Sequence, residues 1–546
     1  MPRHERRRRS TVGKLVTTAE PHAPARVEYG KSFASTNVLV AAGTLLSRIT
    51  GLLRLLAVAA VLGQGNLSDA YNVANNLPNI VYELLVGGAL TATLVPLLVK
   101  LIEEDDDDGV SAVSTVIIFS TFIVAIVATF GAPVIAFVTA SPYLRSTVRN
   151  FAYFLIPEIF FYGITTLGTS LLNARRKFIW AAFVPLLNNL TVIAVLIVAS
   201  NRFVLHESFR VGRPSAAAVA FIGLGTTAGI VVMSLALVPP LRDCFRRYHW
   251  RLEWTNPAVK AIARLAPWAA GYVIANEIAL VIVYRLAQRQ TGGASAYNYA
   301  STFFLLPHGL LAVSLATTFT PNLASLARTR RWRRYTGTLS FGIRVLVFLV
   351  APAAALMAVL SHPIASLLER GKFGPADAAL TGRTLTALVI GLVGFSLYLF
   401  ALRGFYAMQD ARTPFYVNTI ENTVNIVLAF VLVGHYGVVG LALSYAVAYL
   451  VSATIALLLL RKRFPSFPLP DVIWWLVKVS AAAAWCALVA WQVAHHVGSN
   501  NPLAGSLTRI VVAGTAGAIA YLAVMLFLAA LERRSPHRPP KRSRAG

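Results

Sequence analysis

The chain has 546 residues, of which 57% are hydrophobic and 13% charged, and its mean hydropathy is +0.65. A soluble domain carries about 25% charged residues, so this composition leaves little room for one. The formal net charge of +27 raises the question of nucleic acid, but the basic residues gather in short loops between long apolar runs, which argues against it.

A run of about 20 apolar residues crosses the ~30 Å hydrocarbon core of a bilayer. Such runs predict fourteen helices, at 34–62, 67–100, 110–138, 146–172, 178–200, 215–239, 257–288, 293–327, 336–368, 376–408, 413–434, 437–460, 471–497 and 505–531. The fold class is therefore an all-α polytopic membrane protein. Backbone amides in lipid must be satisfied within helices or closed barrels, and continuous apolar runs in place of ten-residue alternation exclude a barrel. The longest segments, the first two among them, must tilt, break at Gly or Pro, or extend past the lipid.

Basic residues mark the connections. A tail at 1–33 carries Arg6 to Arg9, Lys14, Arg26 and Lys31, a linker at 241–256 carries Arg242 to Arg251, and a tail at 533–546 closes the chain. The loops at Arg175 to Lys177, Arg328 to Arg334 and Arg461 to Arg463 fall on the same side if helices alternate. Opposite loops 63–66, 435–437 and 498–504 hold no Lys or Arg, although Arg202, Arg210 and Arg213 depart from the trend. The positive-inside rule then predicts both termini in the cytoplasm. The acidic run Glu103 to Asp108 also falls inside, where acids contribute little to orientation. No cleavable signal peptide is evident. Cys244 and Cys486 imply neither a disulfide nor a metal site.

The chain resembles itself. Asn173 to Phe178 and the helix carrying Asn188 and Asn189 match Gln409 to Pro414 and the helix carrying Asn422 and Asn425. Gly88 to Pro96 likewise matches Val313 to Pro321. The second and fifth segments thus fall on the eighth and eleventh. A shift of six puts both halves into the membrane from the same side, as parallel repeats with a cavity between them. The expected domains are an N-lobe at 34–240, a C-lobe at 257–464 and an extra helix pair at 465–532.

A charge at the bilayer centre costs about 2.5–3.5 kcal/mol on insertion scales, so such residues face a cavity or a partner. Asn72, Asn76, Asn79 and Glu83 share one face of the second segment, kinked at Pro78. Glu158, Tyr162, Thr165 or Thr166, Thr169 and Asn173 form a second stripe, and Asn418, Glu421 or Asn422, and Asn425 a third. Taken singly, each Asn reads as interhelical glue; together the stripes predict a hydrated cavity. Arg48 and Arg54, about 120° apart on the first helix, suit a diphosphate because the guanidinium fork donates two hydrogen bonds. The plain alternatives are snorkelling of Arg48, or pairing with Glu83 or Glu158. Asp69 reads most simply as a helix N-cap. Arg403, Glu277 and Asn276 are the other costly groups. Histidines are scattered, and no nucleophile–base pair, Walker loop or nucleotide fingerprint occurs. An enzyme is not expected.

Ser47-Arg48, Gly51, Arg54, Gly63, Ser68 to Tyr71, Leu77 to Asn79 and Gly88 to Pro96 closely resemble the opening of the MurJ (MviN) family. Leu306 to Gly309 with Thr320 to Leu323, Arg370 to Phe373, and Gly404 to Ala407 with Asp410 to Pro414 resemble its later motifs, and the likeness spans 35–465. The last two helices match by count and position. The resemblance implies a member of the multidrug/oligosaccharidyl-lipid/polysaccharide exporter superfamily that flips lipid II, the undecaprenyl-diphosphate-linked peptidoglycan precursor, across the bacterial plasma membrane. It further implies a cationic cavity between two lobes, a groove for the polyprenyl tail on the last two helices, and alternating access coupled to an ion or the membrane potential. No cofactor is implied, and cell-wall synthesis proteins are candidate partners.

Arg48, Arg54 and Asp69 match the family's functional positions. Leu55 stands where an acid is common, Tyr82-Glu83 replaces a basic pair, and Thr302 replaces an arginine. Arg403 and Arg285 are the candidates to compensate. The expected substrate-binding set is Arg48, Arg54, Asp69, Asn72, Asn76, Asn79, Glu83 and Arg403. The competing readings are a flippase for another polysaccharide carrier lipid and a drug/cation antiporter. An antiporter would be expected to show a dominant acidic site, and Arg48 with Arg54 argues against it. An intramembrane glycosyltransferase would need Glu207 or Asp377 to find a partner.

Overall fold

The computed structural model describes residues 31–82, 90–201, 215–497 and 502–534. Glu83, Glu207 and both basic tails lie outside these residues. The first half of the chain forms α1 (Lys31–Leu62), α2 (Asn66–Tyr82), α3 (Leu90–Glu103), α4 (Asp107–Phe130), α5 (Ala132–Thr139), α6 (Arg145–Leu155), α7 (Glu158–Ala174), α8 (Phe178–Ala199), α9 (Ala216–Leu235) and α10 (Arg242–Arg247). The second half forms α11 (Pro257–Ala287), α12 (Gly293–Pro307), α13 (Val313–Arg328), α14 (Trp332–Ser366), α15 (Pro375–Ile390), α16 (Leu392–Ala407) and α17 (Arg412–Arg463), followed by α18 (Leu469–His496) and α19 (Pro502–Arg534). No strand occurs among the described residues.

Nine of these helical stretches are long and apolar enough to cross a membrane, or eleven if each of two bent pairs counts as one span. Several segments expected to be continuous are interrupted. The segment 110–138 breaks at Gly131, and 293–327 passes through a π-helical turn at His308–Ala312 just after Pro307. The segments 146–172 and 376–408 are the two bent pairs, α6 with α7 at 40° and α15 with α16 at 45°. Pro157 sits at the first bend and Gly391 at the second. The segments 413–434 and 437–460 are two helices that meet at a non-helical kink at Gly437, φ 57° and ψ −137°, within the range given to α17.

Local chemistry sets the helix starts. Asp106 accepts the Gly109 amide at 2.7 Å, and Asp107 and Asp108 sit in the first turn of α4, where negative charge meets the positive end of the helix dipole. Asp410 accepts the Arg412 and Thr413 amides at the start of α17. Asp377, considered above as a catalytic acid, accepts the Gly374 amide at 3.0 Å and opens α15. Among the described residues four non-glycine residues take the left-handed conformation, and they fall at corresponding turns: Asp105 after α3 and Arg330 after α13, Arg176 after α7 and Gln409 after α16.

Packing is mostly within each half. α1 lies against α8, α8 against α9, α2 against α6 and α4 against α7; in the second half α11 lies against α17, α14 against α15 and α16 against α17. α18 and α19 pack on each other and on α14 through Val347, Ala351, Ala482, Cys486 and Tyr521. Small residues let the helices approach, as packing in lipid requires. A Cβ on Gly391, for example, would lie 2.5 Å from the Ala446 Cα.

Candidate functional site

The halves meet along a polar seam around the turn between α1 and α2. Asp69 is fully buried in the first turn of α2. It does not cap its own helix, as the sequence suggested. Its Oδ2 accepts the Gly292 amide at 2.9 Å, and its Oδ1 accepts the Ser295 amide at 2.8 Å and the Ser295 hydroxyl at 2.7 Å. The carboxylate therefore caps α12 of the other half. Gly292 has φ 76°, and a Cβ there would lie 2.8 Å from the Gln64 carbonyl oxygen, so glycine is required on both counts.

Further bonds extend the seam. Asn72 donates to the Ser295 hydroxyl at 3.1 Å and accepts from Asn298 at 2.9 Å. Tyr299 donates to the Gly63 carbonyl at 3.0 Å, the Lys372 amide to the Ala60 carbonyl at 2.9 Å, and Thr381 to the Gln64 side chain at 2.7 Å. Gln288 accepts the Ser141 amide at 2.8 Å and donates to the Thr139 carbonyl at 2.9 Å, while Tyr143 donates to the Gln288 carbonyl. Arg285 donates to the carbonyls of Phe137, Val138 and Ala140 at the end of α5. That placement removes Arg285 as a substitute for a cavity arginine: it fastens one half to the other.

A second cluster lies about the middle of α1. Arg48 is partly buried, and its guanidinium reaches across to the Gly309 carbonyl at 3.4 Å. Gly309 belongs to the π-helical turn, a distortion frequent at functional sites. A Cβ on Gly309 would meet the Arg48 guanidinium at 2.6 Å. The preceding His308 is buried, bonds Ser396 at 3.0 Å and faces Arg403. Arg403 on α16 is exposed and also faces Tyr272 and Tyr406. Arg48 and Arg403, from opposite halves, thus flank the same turn. Arg54 has Tyr71, Tyr162 and, further off, the buried Glu158 in its surroundings, and Glu158 accepts from Thr227 at 3.0 Å. Of the two carboxylates weighed as its partner, Glu158 is in its surroundings and Glu83 lies outside the described residues.

The stripes divide. Asn76 is half-buried on the α2 wall beside Leu280 and Tyr284, and the half-buried Asn79 bonds the Asn75 carbonyl of its own helix at 3.0 Å. The third stripe does not line an open cavity. Asn418, Glu421, Asn422 and Asn425 are all buried within the second half, where Asn276 accepts from Asn418 at 2.8 Å and from Asn422 at 2.9 Å, and Ser444 donates to Asn425 at 3.0 Å. The α7 stripe behaves alike, with Thr165 bonded to Ser234 at 2.8 Å and Thr166 and Thr169 bonded back to their own helix. Period alone cannot tell an inward face from a cavity face. The seam partners Gly292, Ser295, Gln288 and Tyr299 were not singled out from the sequence; the Gly292-Gly293 doublet is the one local signal.

The chain as a whole is similar to known proteins. A family model described as lipid II flippase MurJ matches residues 58–513. A protein of Burkholderia cenocepacia named lipid II flippase MurJ is 30% identical over 470 residues, covering 82% of this chain and 88% of its own. A probable lipid II flippase MurJ of Rhizobium meliloti is 30% identical over 441 residues, covering 78% and 79%. Among solved structures, lipid II flippase MurJ in an inward closed conformation superposes with a TM-score of 0.73 at 23% identity, over 91% of this chain and all of that one. An inward-facing multidrug resistance MATE transporter of the MOP superfamily gives 0.62 at 16% identity, over 78% and 95%, so the fold extends to that superfamily. The chain belongs to the lipid II flippase MurJ family.

Proposed function

We propose that the chain is a lipid II flippase, which carries the undecaprenyl-diphosphate-linked peptidoglycan precursor from the inner to the outer leaflet of the bacterial plasma membrane by alternating access. The observation that carries this reading is the family match over residues 58–513. Arg48, Arg54 and Arg403 supply the charge for a diphosphate, and guanidiniums suit that ligand through bidentate hydrogen bonds. Asp69 and Asn72, consumed by partners on α12, serve the closure of the seam and not the ligand. Asn76 and Asn79 continue the α2 wall beyond it. Rocking of the halves breaks the bonds of the seam and exposes the arginines to the other side.

The reading takes α2 with α3, α4 with α5, α6 with α7, α12 with α13 and α15 with α16 as single spans, and α17 as two spans about Gly437. That gives fourteen, six in each half plus α18 and α19. The paired bends and the paired left-handed turns support a parallel repeat. The basic connections support cytoplasmic termini, and the seam is then at the outer face. Depletion of the protein in a growing cell, followed by measurement of lipid II sidedness, tests the function. Lipid II should accumulate in the inner leaflet; normal outer-leaflet exposure in the depleted cell refutes the proposal.

A further inference from the structure

The connection between α10 and α11 is an irregular ledge that combines polar residues bonded to α4 with exposed apolar ones. The polar residues are fixed to the start of α4. The amides of His249 and Arg251 donate to the hydroxyls of Ser111 at 3.4 Å and Thr115 at 3.1 Å, one helical turn apart. Their side chains both meet Asp108, His249 at 2.7 Å, and Arg251 also bonds Glu253 at 2.6 Å. Arg247 adds an ion pair with Asp107 at 3.6 Å, and Tyr248 bonds Thr115 at 2.9 Å. The side chains of His249 and Arg251 therefore turn toward the acidic start of α4, with Glu253 held by Arg251, and all three stay partly exposed to water.

Three apolar residues, at 250, 252 and 254, alternate with these polar ones along the segment. These are Trp250, Leu252 and Trp254, and they are 61%, 39% and 53% exposed. Two indoles and a leucine are turned out of the protein in a segment that otherwise holds charges. The ledge follows one candidate span, 216–244, and leads within a few residues into the 31-residue α11, so it sits at the level of the lipid headgroups. Exposed Arg242, Arg247 and Lys260 flank it.

We propose that Trp250, Leu252 and Trp254 form a membrane-interface anchor seated at the headgroup–acyl boundary of an anionic leaflet. Indoles favour that boundary, with an apolar body in the acyl region and an N–H among the headgroups. The flanking cations add attraction to anionic lipid. The ledge is thereby held by α4 through its polar residues and by lipid through its apolar ones, so the connection between the halves moves with the first half. The inference needs only that the chain spans a membrane and is independent of the transported substrate and of orientation.

The test uses full-length protein with Cys244→Ser, Cys486→Ala and Trp250→Cys, labelled with bimane and reconstituted in symmetric vesicles of phosphatidylglycerol and phosphatidylcholine. A nitroxide on the fifth acyl carbon should quench the label strongly and aqueous iodide weakly. A label at Glu253→Cys should show the reverse. Omission of phosphatidylglycerol should weaken lipid quenching by about twofold; equal quenching in both vesicles overturns the anionic part. Iodide quenching at position 250 equal to that at 253 overturns the anchor. Protection from both quenchers overturns it as well, because the face is then covered by protein. Wild-type protein gives a second reading, since quenching of its tryptophan fluorescence by brominated lipid should fall in Trp250→Ala/Trp254→Ala.

Discussion

Asp69 on α2 and Ser295 on α12 are joined by two hydrogen bonds, to the amide at 2.8 Å and to the hydroxyl at 2.7 Å, although 226 residues separate them. A buried carboxylate of one half thus neutralises the amino end of a helix in the other, where the helix dipole favours negative charge. Closure of the seam depends on that carboxylate being charged and aimed.

Asp69→Asn keeps the size but turns an amide toward backbone donors. Hydrogen bonds to charged groups contribute about 1.5–3 kcal/mol, so the closed-to-open ratio should fall roughly 10- to 150-fold. Spin-label distances across the seam check this: the variant should show a longer population, and an unchanged distribution contradicts the capping role. Gly292→Ala should act in the same direction.

Arg54→Ala should abolish lipid II export while insertion and folding persist, because truncating one member of a desolvated charge pair costs about 2–5 kcal/mol. Arg54→Lys should restore export only in part, since a point charge does not reproduce the fork. Export measured beside protein abundance in membranes separates loss of function from loss of protein.

Arg403→Ala should give a weaker defect than Arg48→Ala. Arg403 is exposed beside His308, whereas Arg48 is held by the Gly309 carbonyl. Gly309→Ala offers a subtler test. Its Cβ displaces only the flexible tip of Arg48, so export should fall while thermal stability in detergent stays within about 1 kcal/mol of wild type.

Gly391→Ala should behave oppositely. Its Cβ meets backbone of α17, and overpacking of this kind costs about 1–3 kcal/mol. A lowered unfolding temperature in detergent is the expected result.

Orientation has its own test. A cysteine at Ser499 should react with an impermeant reagent from outside the cell, and one at Ser543 should not. The reverse pattern contradicts cytoplasmic termini.

Much of the fold is legible in the sequence because hydropathy acts locally: the apolar runs mark where the helices lie. The interruptions are less so. Pro157 and Gly391 permit a bend, but the packing of neighbours decides whether one forms, and at Gly437 the non-helical backbone kinks α17 into two helices. The two arginines of α1 stand out because a charge in an apolar helix is costly. Asp69 also stands out, but its partners lie far along the chain and no local pattern names them. The third stripe has the period of a cavity wall and is nevertheless buried, since a helix packed on every side shows the same spacing.

The most direct measurement is transport by the purified protein. Proteoliposomes carrying fluorescent lipid II, with the outer-leaflet probe bleached by an impermeant reductant, report movement between leaflets. Wild-type protein should expose the protected pool over time, and Arg48→Ala and Arg54→Ala proteins should leave it protected. If wild-type protein moves no lipid II, or if both arginine variants move it at the wild-type rate, the cationic-cavity account is contradicted.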